Sequence, residues 1–240
     1  MSDLTDRRAR KKAQTRTQVR DTAQRLFAER GFDVVTIADI ARAADVAVQT
    51  VFNHFATKEE LFFVDRVPWV DGPADAIRTR EATVAPLTAL RHYLVNLVES
   101  RVGSLGNDAR RCYVQTLDAS DTLRAHEREL VIECERRLSV ALLEAWSSDD
   151  IPAPSDPRMA ASLTAAIWTA TARVLIHDHR PLVTAGADPA DTAATLGHLG
   201  ERVLRQLEEC LTEVAFPDST DTGWPRDTIP VVEQPVRRAV

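Results

Sequence analysis

Apolar residues recur at helical spacing along most of the chain, and no segment shows the strict alternation of a half-buried strand. Val19, Ala23, Leu26 and Phe27 form the first stripe. They predict a helix from about Arg10 to Arg30, preceded by a mobile stretch over Met1 to Arg8 and closed by Gly31 as a left-handed cap. Phe32 with Val34 or Val35 should pack the connector that follows. Ile37, Ile40, Ala41 and Ala44 form the next stripe, with Thr36 as N-cap and Asp39 as a capping-box partner. Asp45-Val46 leaves room only for a sharp corner. Beyond it, Val51 and Phe55 lie one turn apart and share a face. Thr57 caps a further helix carrying Leu61, Phe62 and Val64, with Glu60 completing its box.

The pattern weakens from Pro68 to Ala82, a connector with room for a short helical piece. Thr83 is the expected cap of a helix through Val102, with Pro86 in its first turn and Leu87, Leu90, Leu94, Leu97 and Val98 on its buried side. A shorter helix follows around Ala109 to Leu117. A long one runs from Asp121 to Trp146, with Leu123, Leu130, Val131, Cys134, Leu138, Ala141, Leu142 and Ala145 inward. Asp156-Pro157 starts a helix to about His179 that is poor in charge between Met159 and Ala172, which predicts burial on more than one side. Pro181 should stop it. Asp188-Pro189 opens a last helix to about Val214, lined by Ala193, Leu196, Gly197, Gly200, Val203, Leu204, Leu207 and Leu211. Two interior glycines cost about 1 kcal/mol each relative to alanine, which close approach of another helix would justify. The proline-bearing tail 216–240 reads as extended or disordered. The expected fold class is all-α: an N-terminal three-helix unit over 1–66 and a larger helical body over 67–215.

Composition alters this picture in two places. The 240 residues carry a net charge of −6, yet residues 7–30 hold nine basic groups against two acidic ones, a surplus of +7, so the remainder carries −13. A basic end on an acidic body suits contact with phosphate at that end alone. The three cysteines, Cys112, Cys134 and Cys210, lack CxxC spacing and are expected as small buried apolar groups. No apolar run suggests a membrane span and no secretory signal is visible, so a cytoplasmic protein is the expectation. No cofactor is implied, because phosphate-binding glycine loops, nucleophile elbows and HExxH are missing. His177 and His179, two apart on a helix, point nearly opposite ways and make a poor metal pair.

The stretch from Thr36 to Phe62 is a helix-turn-helix pattern, which places its second helix in the major groove of double-stranded DNA. Gln49 and Asn53 are one turn apart, opposite Val51 and Phe55. Each offers a donor and an acceptor to the edge of adenine. Val48 suits a thymine methyl. Thr36, Thr50, His54 and Lys58 suit phosphate contacts, which set position rather than sequence. Phe52 fits packing better than base reading. Arg7 to Arg16 could reach the minor groove or the backbone, with Arg16 nearest the motif. One recognition helix spans few bases, so two copies on a two-fold axis reading an approximate palindrome are expected, joined through the last two long helices.

These residues resemble the tetracycline-repressor (TetR) family of bacterial transcription regulators. The family pattern is matched at Thr36, Ile37, Ile40, Ala41, Ala44, Val46, Thr50, Val51, His54, Phe55, Thr57, Lys58, Glu59 and Leu61. Three positions depart from it. Asp45 replaces the turn glycine, which implies a strained left-handed residue. Ala47 replaces a capping Ser or Thr, and Phe52 replaces a tyrosine, which passes its phosphate contact to Thr50 and Lys58. The resemblance implies a homodimeric repressor released by a small-molecule effector, and not an enzyme. It also implies an effector pocket among the helices from Thr83 to His179, for which Tyr93, Tyr113, Trp168 and Arg173 are the candidate lining. The alternative is a helical ligand-binding or protein-interaction module whose head does not bind DNA.

Overall fold

The computed structural model describes residues 2–148 and 153–213, with side chains for 7–148, 153–183 and 185–210. The expected tail over 216–240, the side chain of Leu211 and part of the loop after Trp146 lie outside these. The helices in chain order are α1 (Ser2–Arg30), α2 (Ile37–Ala43), α3 (Val48–Phe52), α4 (Lys58–Phe63), α5 (Gly72–Arg78) and α6 (Pro86–Gly103). There follow α7 (Asp108–Ala119), α8 (Asp121–Trp146), α9 (Pro157–Arg173), α10 (Arg180–Thr184) and α11 (Pro189–Glu213). Among the described residues there is no strand. An N-terminal helix-turn-helix domain is followed by a helical C-terminal domain, as the pattern predicts.

The first helix is longer than expected. It starts at Ser2 rather than near Arg10, because the basic segment holds neither Gly nor Pro and is rich in strong helix formers. The head closes on an aromatic cluster: Phe27, Phe32 and Phe62 have ring centroids 5.1 to 6.1 Å apart. Val19, Ala23, Leu26, Ile40, Val51 and Phe55 complete its core, while Val34 stays exposed and Val35 is buried. Gly31 has φ +84°, as its cap role requires.

In the body, α6 packs along α11, and α8 along α5 and α9. The α6 cap is Ala85 and not Thr83; its side chain makes no cap bond, and Pro86 at the first position needs no donor partner. Gly200 does mark a close helix approach, but to the same chain. A Cβ there would lie 2.9 Å from Leu175 and 3.2 Å from Leu94. The glycine-bearing side of α11 is therefore spent inside the protomer and is not free for a second copy.

The helix from Pro157 differs most from expectation. It ends at Arg173, passes through a π-helical turn at Val174–Asp178, and Pro181 sits in the first turn of α10 instead of stopping a helix. Nor is it buried all round. Ala161, Ala165, Trp168 and Ala172 face the core, whereas Met159, Leu163, Ile167 and Val174 form an exposed apolar stripe. By length and composition alone Pro157–Val183 could span a membrane, which the chain's apolar runs do not suggest. Its buried side packs on α8 and Trp168 Nε1 donates to the Leu90 carbonyl, so it serves as a core helix of the body. Of the cysteines only Cys134 is buried; Cys112 is half-buried and Cys210 exposed.

Candidate nucleic-acid interface

The corner is built from backbone hydrogen bonds. Val46 N donates to Ala41 O (3.0 Å) and Asp45 N to Arg42 O (3.3 Å), the two bonds of a Schellman motif. Asp45 takes the left-handed position with φ +52°, a strain of about 1 kcal/mol for a residue with a Cβ. Gln18 Nε2 on α1 donates to Ala44 O (2.9 Å) and fixes the corner to the long helix. The α2 start is a full capping box: Thr36 Oγ1 accepts from Asp39 N, and the Asp39 carboxylate accepts from Thr36 N. The Thr36 hydroxyl, which donates to the same carboxylate, and then the backbone bond pull the Asp39 carboxyl below its ordinary pKa. Ala47 makes no side-chain cap, as the substitution implies. At α4 the box is shifted: Thr57 Oγ1 accepts from Glu60 N, but Glu60 accepts from Ala56 N.

From this corner α3 presents Val48, Gln49, Phe52 and Asn53 to solvent and buries Val51. Gln49 Nε2 donates to Asn53 Oδ1 (3.2 Å). The bond orients both amides and leaves the Gln49 oxygen and the Asn53 nitrogen for base edges. Phe52 does not pack inward as expected. It is 47% exposed and shares a face with Val48, one turn away, giving the reading surface an apolar half. Thr50 and His54 are half-buried.

Two expected phosphate contacts are held inside the head. Lys58 Nζ donates to Phe32 O (3.0 Å) and Val35 O (3.1 Å) and sits 4.2 Å from the Phe32 ring centroid. It is a clamp between the end of α1 and the start of α4. Arg16 lies 4.2 Å over the Phe55 ring, donates to the His54 carbonyl and faces Glu60 at 3.7 Å. Sequence spacing gives no sign of either engagement, because both join elements more than 20 residues apart. Lys11 and Lys12 are exposed on α1, and His54 is depressed below its ordinary pKa by burial, then by Lys12 and Arg16. A basic helix, not a flexible arm, therefore flanks α3.

The body holds a central cavity with about 50 Å³ of free space. Tyr113, Trp168 and Arg173 line it, as do Trp69, Leu97 and Val131; Tyr93 lines a neighbouring cavity that shares Leu97, Arg101 and Arg110. The pattern reading missed the charged members, Arg101, Arg110, Glu127, His177 and Arg180, which sit on helix sides otherwise apolar. Arg180 Nη2 donates to Glu127 Oε1 (3.3 Å), with His177 Nε2 3.4 Å from the same oxygen. Burial and then Arg180 push the His177 pKa down to about 3, so the ring is neutral at pH 7. His179 is turned away, its Nδ1 2.9 Å from Val174 O. Among the described residues no cluster could hold a metal ion.

Comparison with known proteins agrees with this architecture. Residues 19–64 match the model of bacterial regulatory proteins, tetR family. The transcriptional regulator TtgR of Pseudomonas putida is 27% identical over 163 residues, 65% of this chain and 77% of its own. The repressor KstR2 of Rhodococcus jostii is 42% identical over 50 residues, 21% of this chain and 24% of its own. Native NalD of Pseudomonas aeruginosa shares the fold at a TM-score of 0.50 and 23% identity, covering 80% of this chain and 96% of that one. SmeT in complex with triclosan does so at 0.52 and 20%, covering 79% and 90%. Head, corner and helical body define a DNA-binding transcriptional regulator. In its head, residues 19–64, the chain is similar to the tetR family, and the relatives it matches are transcriptional regulators.

Proposed function

We propose that this regulator is a cytoplasmic homodimeric repressor that binds an approximately palindromic operator and leaves it when a small molecule enters the body. The division falls at residue 66, with the head before it and the ligand-binding and dimerising body over 67–215. The observation that carries the reading is the Gln49–Asn53 pair, exposed and mutually oriented on a helix fixed by a complete Schellman corner. Val48 and Phe52 add apolar contact to thymine methyls. Thr50 and His54 stand at the edge of the same helix, and Thr36 at the start of α2, for the phosphates. Lys11 and Lys12 supply the cationic contacts that Lys58 and Arg16 are too engaged to supply alone.

Pairing through α9 and α11 is supported by the exposed stripe Met159, Leu163, Ile167 and Val174, and by Leu199 on α11. Such a stripe on a soluble chain needs a cover. The glycine side of α11 is excluded from that role, so the dimer face is its opposite side. KstR2 is named a repressor, which supports repression as the output. The test is selection of bound fragments from random DNA followed by mobility shift. A recovered palindrome and a dimer-sized complex support the reading. Failure to enrich any sequence at moderate salt would overturn it.

A further inference from the structure

Basic side chains outnumber acidic ones around the central cavity, where Arg101, Arg110, Arg173 and Arg180 stand with Glu127. Arg180 is paired with Glu127 and with Asp118, both at 3.3 Å, and Arg173 faces Asp178 at 3.7 Å. Among the described residues, Arg101 and Arg110 make no carboxylate salt bridge; Glu127, which acts on both electrostatically, is bonded to Arg180. The Arg101 side chain donates to the Arg66 carbonyl (3.3 Å). Arg110 lies 4.8 Å over the Tyr113 ring, and its Nε is buried with no hydrogen-bond partner. Two guanidinium groups thus converge on one wall, at the seam where the two cavities meet. The apolar part of the lining includes Trp69, Trp168, Leu97 and Val131.

Buried cations are normally paired, and an orphaned buried donor costs free energy until something accepts from it. Burial, and next the charge of Arg101, lower the Arg110 pKa to about 10, as expected for crowded cations lacking a counter-ion. A planar fork of donors matches a carboxylate in bidentate geometry, and a lining with two indoles suits an aromatic ring.

We propose that the effector is an aromatic carboxylate, its anion held by Arg110 and Arg101 and its ring between Trp69 and Trp168. This rests on the reading of the body as an effector site and adds the chemistry of the effector. Binding restores the missing partner of Arg110. It also competes for the donor that Arg101 gives to the Arg66 carbonyl, just beyond α4, so recognition and release from DNA share one side chain.

The test is calorimetry on the full chain without DNA, using benzoate, 2-naphthoate and biphenyl-4-carboxylate, each beside its uncharged amide. At least one acid should bind ten-fold or more tighter than its amide, and R110Q should remove that preference while keeping the amide's affinity. Equal affinity of acid and amide, an acid preference unchanged in R110Q, or no acid binding at all would each overturn the proposal. The ligand-free chain gives an independent check: R110M should raise the melting temperature by removing a half-buried cation whose Nε lacks a hydrogen-bond partner, and a lowered one counts against it. A chain that binds selected DNA but no carboxylate fails only this inference. One that binds a carboxylate but no DNA fails only the operator reading.

Discussion

Tyr113 stacks on Phe62 with ring centroids 4.8 Å apart and planes 13° from parallel. One ring lines the body's central cavity and the other belongs to the aromatic core of the head, so a single contact joins the two sites. Arg66 covers the Tyr113 ring at 4.8 Å and donates to Gln24 Oε1 (2.9 Å) on α1. Nearby, Ser120 Oγ donates to Asp33 (2.8 Å) and Phe63 stacks on His126 at 5.1 Å. A ligand that displaces Tyr113 acts directly on the base of α4. A ligand can shift the operator equilibrium only by its differential affinity for the two arrangements, and this contact is where they would differ. Replacing Tyr113 by Leu should keep operator affinity within a few-fold and reduce the ligand's effect on it by ten-fold or more. Fluorescence anisotropy of labelled operator with and without ligand measures both.

Lys58 and Lys12 should separate fold from phosphate contact. Lys58→Ala loses two charge-assisted bonds to carbonyls and a ring contact, a destabilisation of about 2 kcal/mol in chemical denaturation. It should leave the salt dependence of DNA binding unchanged. Lys12→Ala should leave stability unchanged and lower the slope of log affinity against log salt by about 1. A flattened slope in the Lys58 variant with full stability would reverse the roles assigned here.

Gln49→Ala and Asn53→Ala should each cost about 1–3 kcal/mol on the selected operator and relax preference at one or two base pairs. Because the two amides are bonded to each other, their double-mutant cycle should show coupling beyond about 0.5 kcal/mol. Additive losses, equal on specific and non-specific DNA, would remove both from base reading.

His177 should set part of the acid limb of stability. Its folded pKa, about 3, lies below the ordinary value of 6.5, chiefly through burial. Between these values the unfolded chain binds more protons, so stability falls as pH is lowered from 6.5, by up to about 1.4 kcal/mol per pH unit. Glu127 acts in the opposite sense, since burial raises its pKa and favours proton uptake by the folded chain. His177→Gln removes the titrating ring, so the wild-type minus variant difference reports the histidine together with its coupling to Glu127. That difference should grow as pH falls from 6.5 towards 4; a flat difference would contradict the burial account.

The apolar stripe on α9 should be a subunit contact. Leu163 and Ile167 are 44% and 37% exposed in the protomer, one turn apart. Leu163→Glu should convert the chain to a monomer by sedimentation with its helix content intact. Operator affinity should fall by two orders of magnitude or more, because each head then binds a half-site alone. An unchanged sedimentation coefficient would place the interface elsewhere.

The helices were largely legible because their stripes are regular: Val19, Ala23, Leu26 and Phe27 in α1, or Leu138, Ala141 and Leu142 in α8, are all buried as the spacing requires. The corner was legible too, since Asp45 can occupy only a left-handed position there. What escaped were interactions between distant segments. Nothing near Lys58 signals that its ammonium reaches the carbonyls of Phe32 and Val35, and nothing near Arg110 signals a cavity. Phe52 misled because an aromatic in a short helix usually packs inward, whereas Val51 and Phe55 already fill that side. The charge-poor helix at Met159 misled in the same way: its apolar breadth belongs partly to a face that the protomer leaves open.

The most direct test of the account is selection of DNA fragments by the wild-type chain and by a Gln49→Ala, Asn53→Ala double variant, followed by titration of each on the selected fragment. The account predicts an approximately palindromic sequence from the wild type, bound as a dimer, with the variant retaining only salt-sensitive, sequence-independent binding. Selection of the same sequence at the same affinity by both proteins, or of none by either, would contradict it.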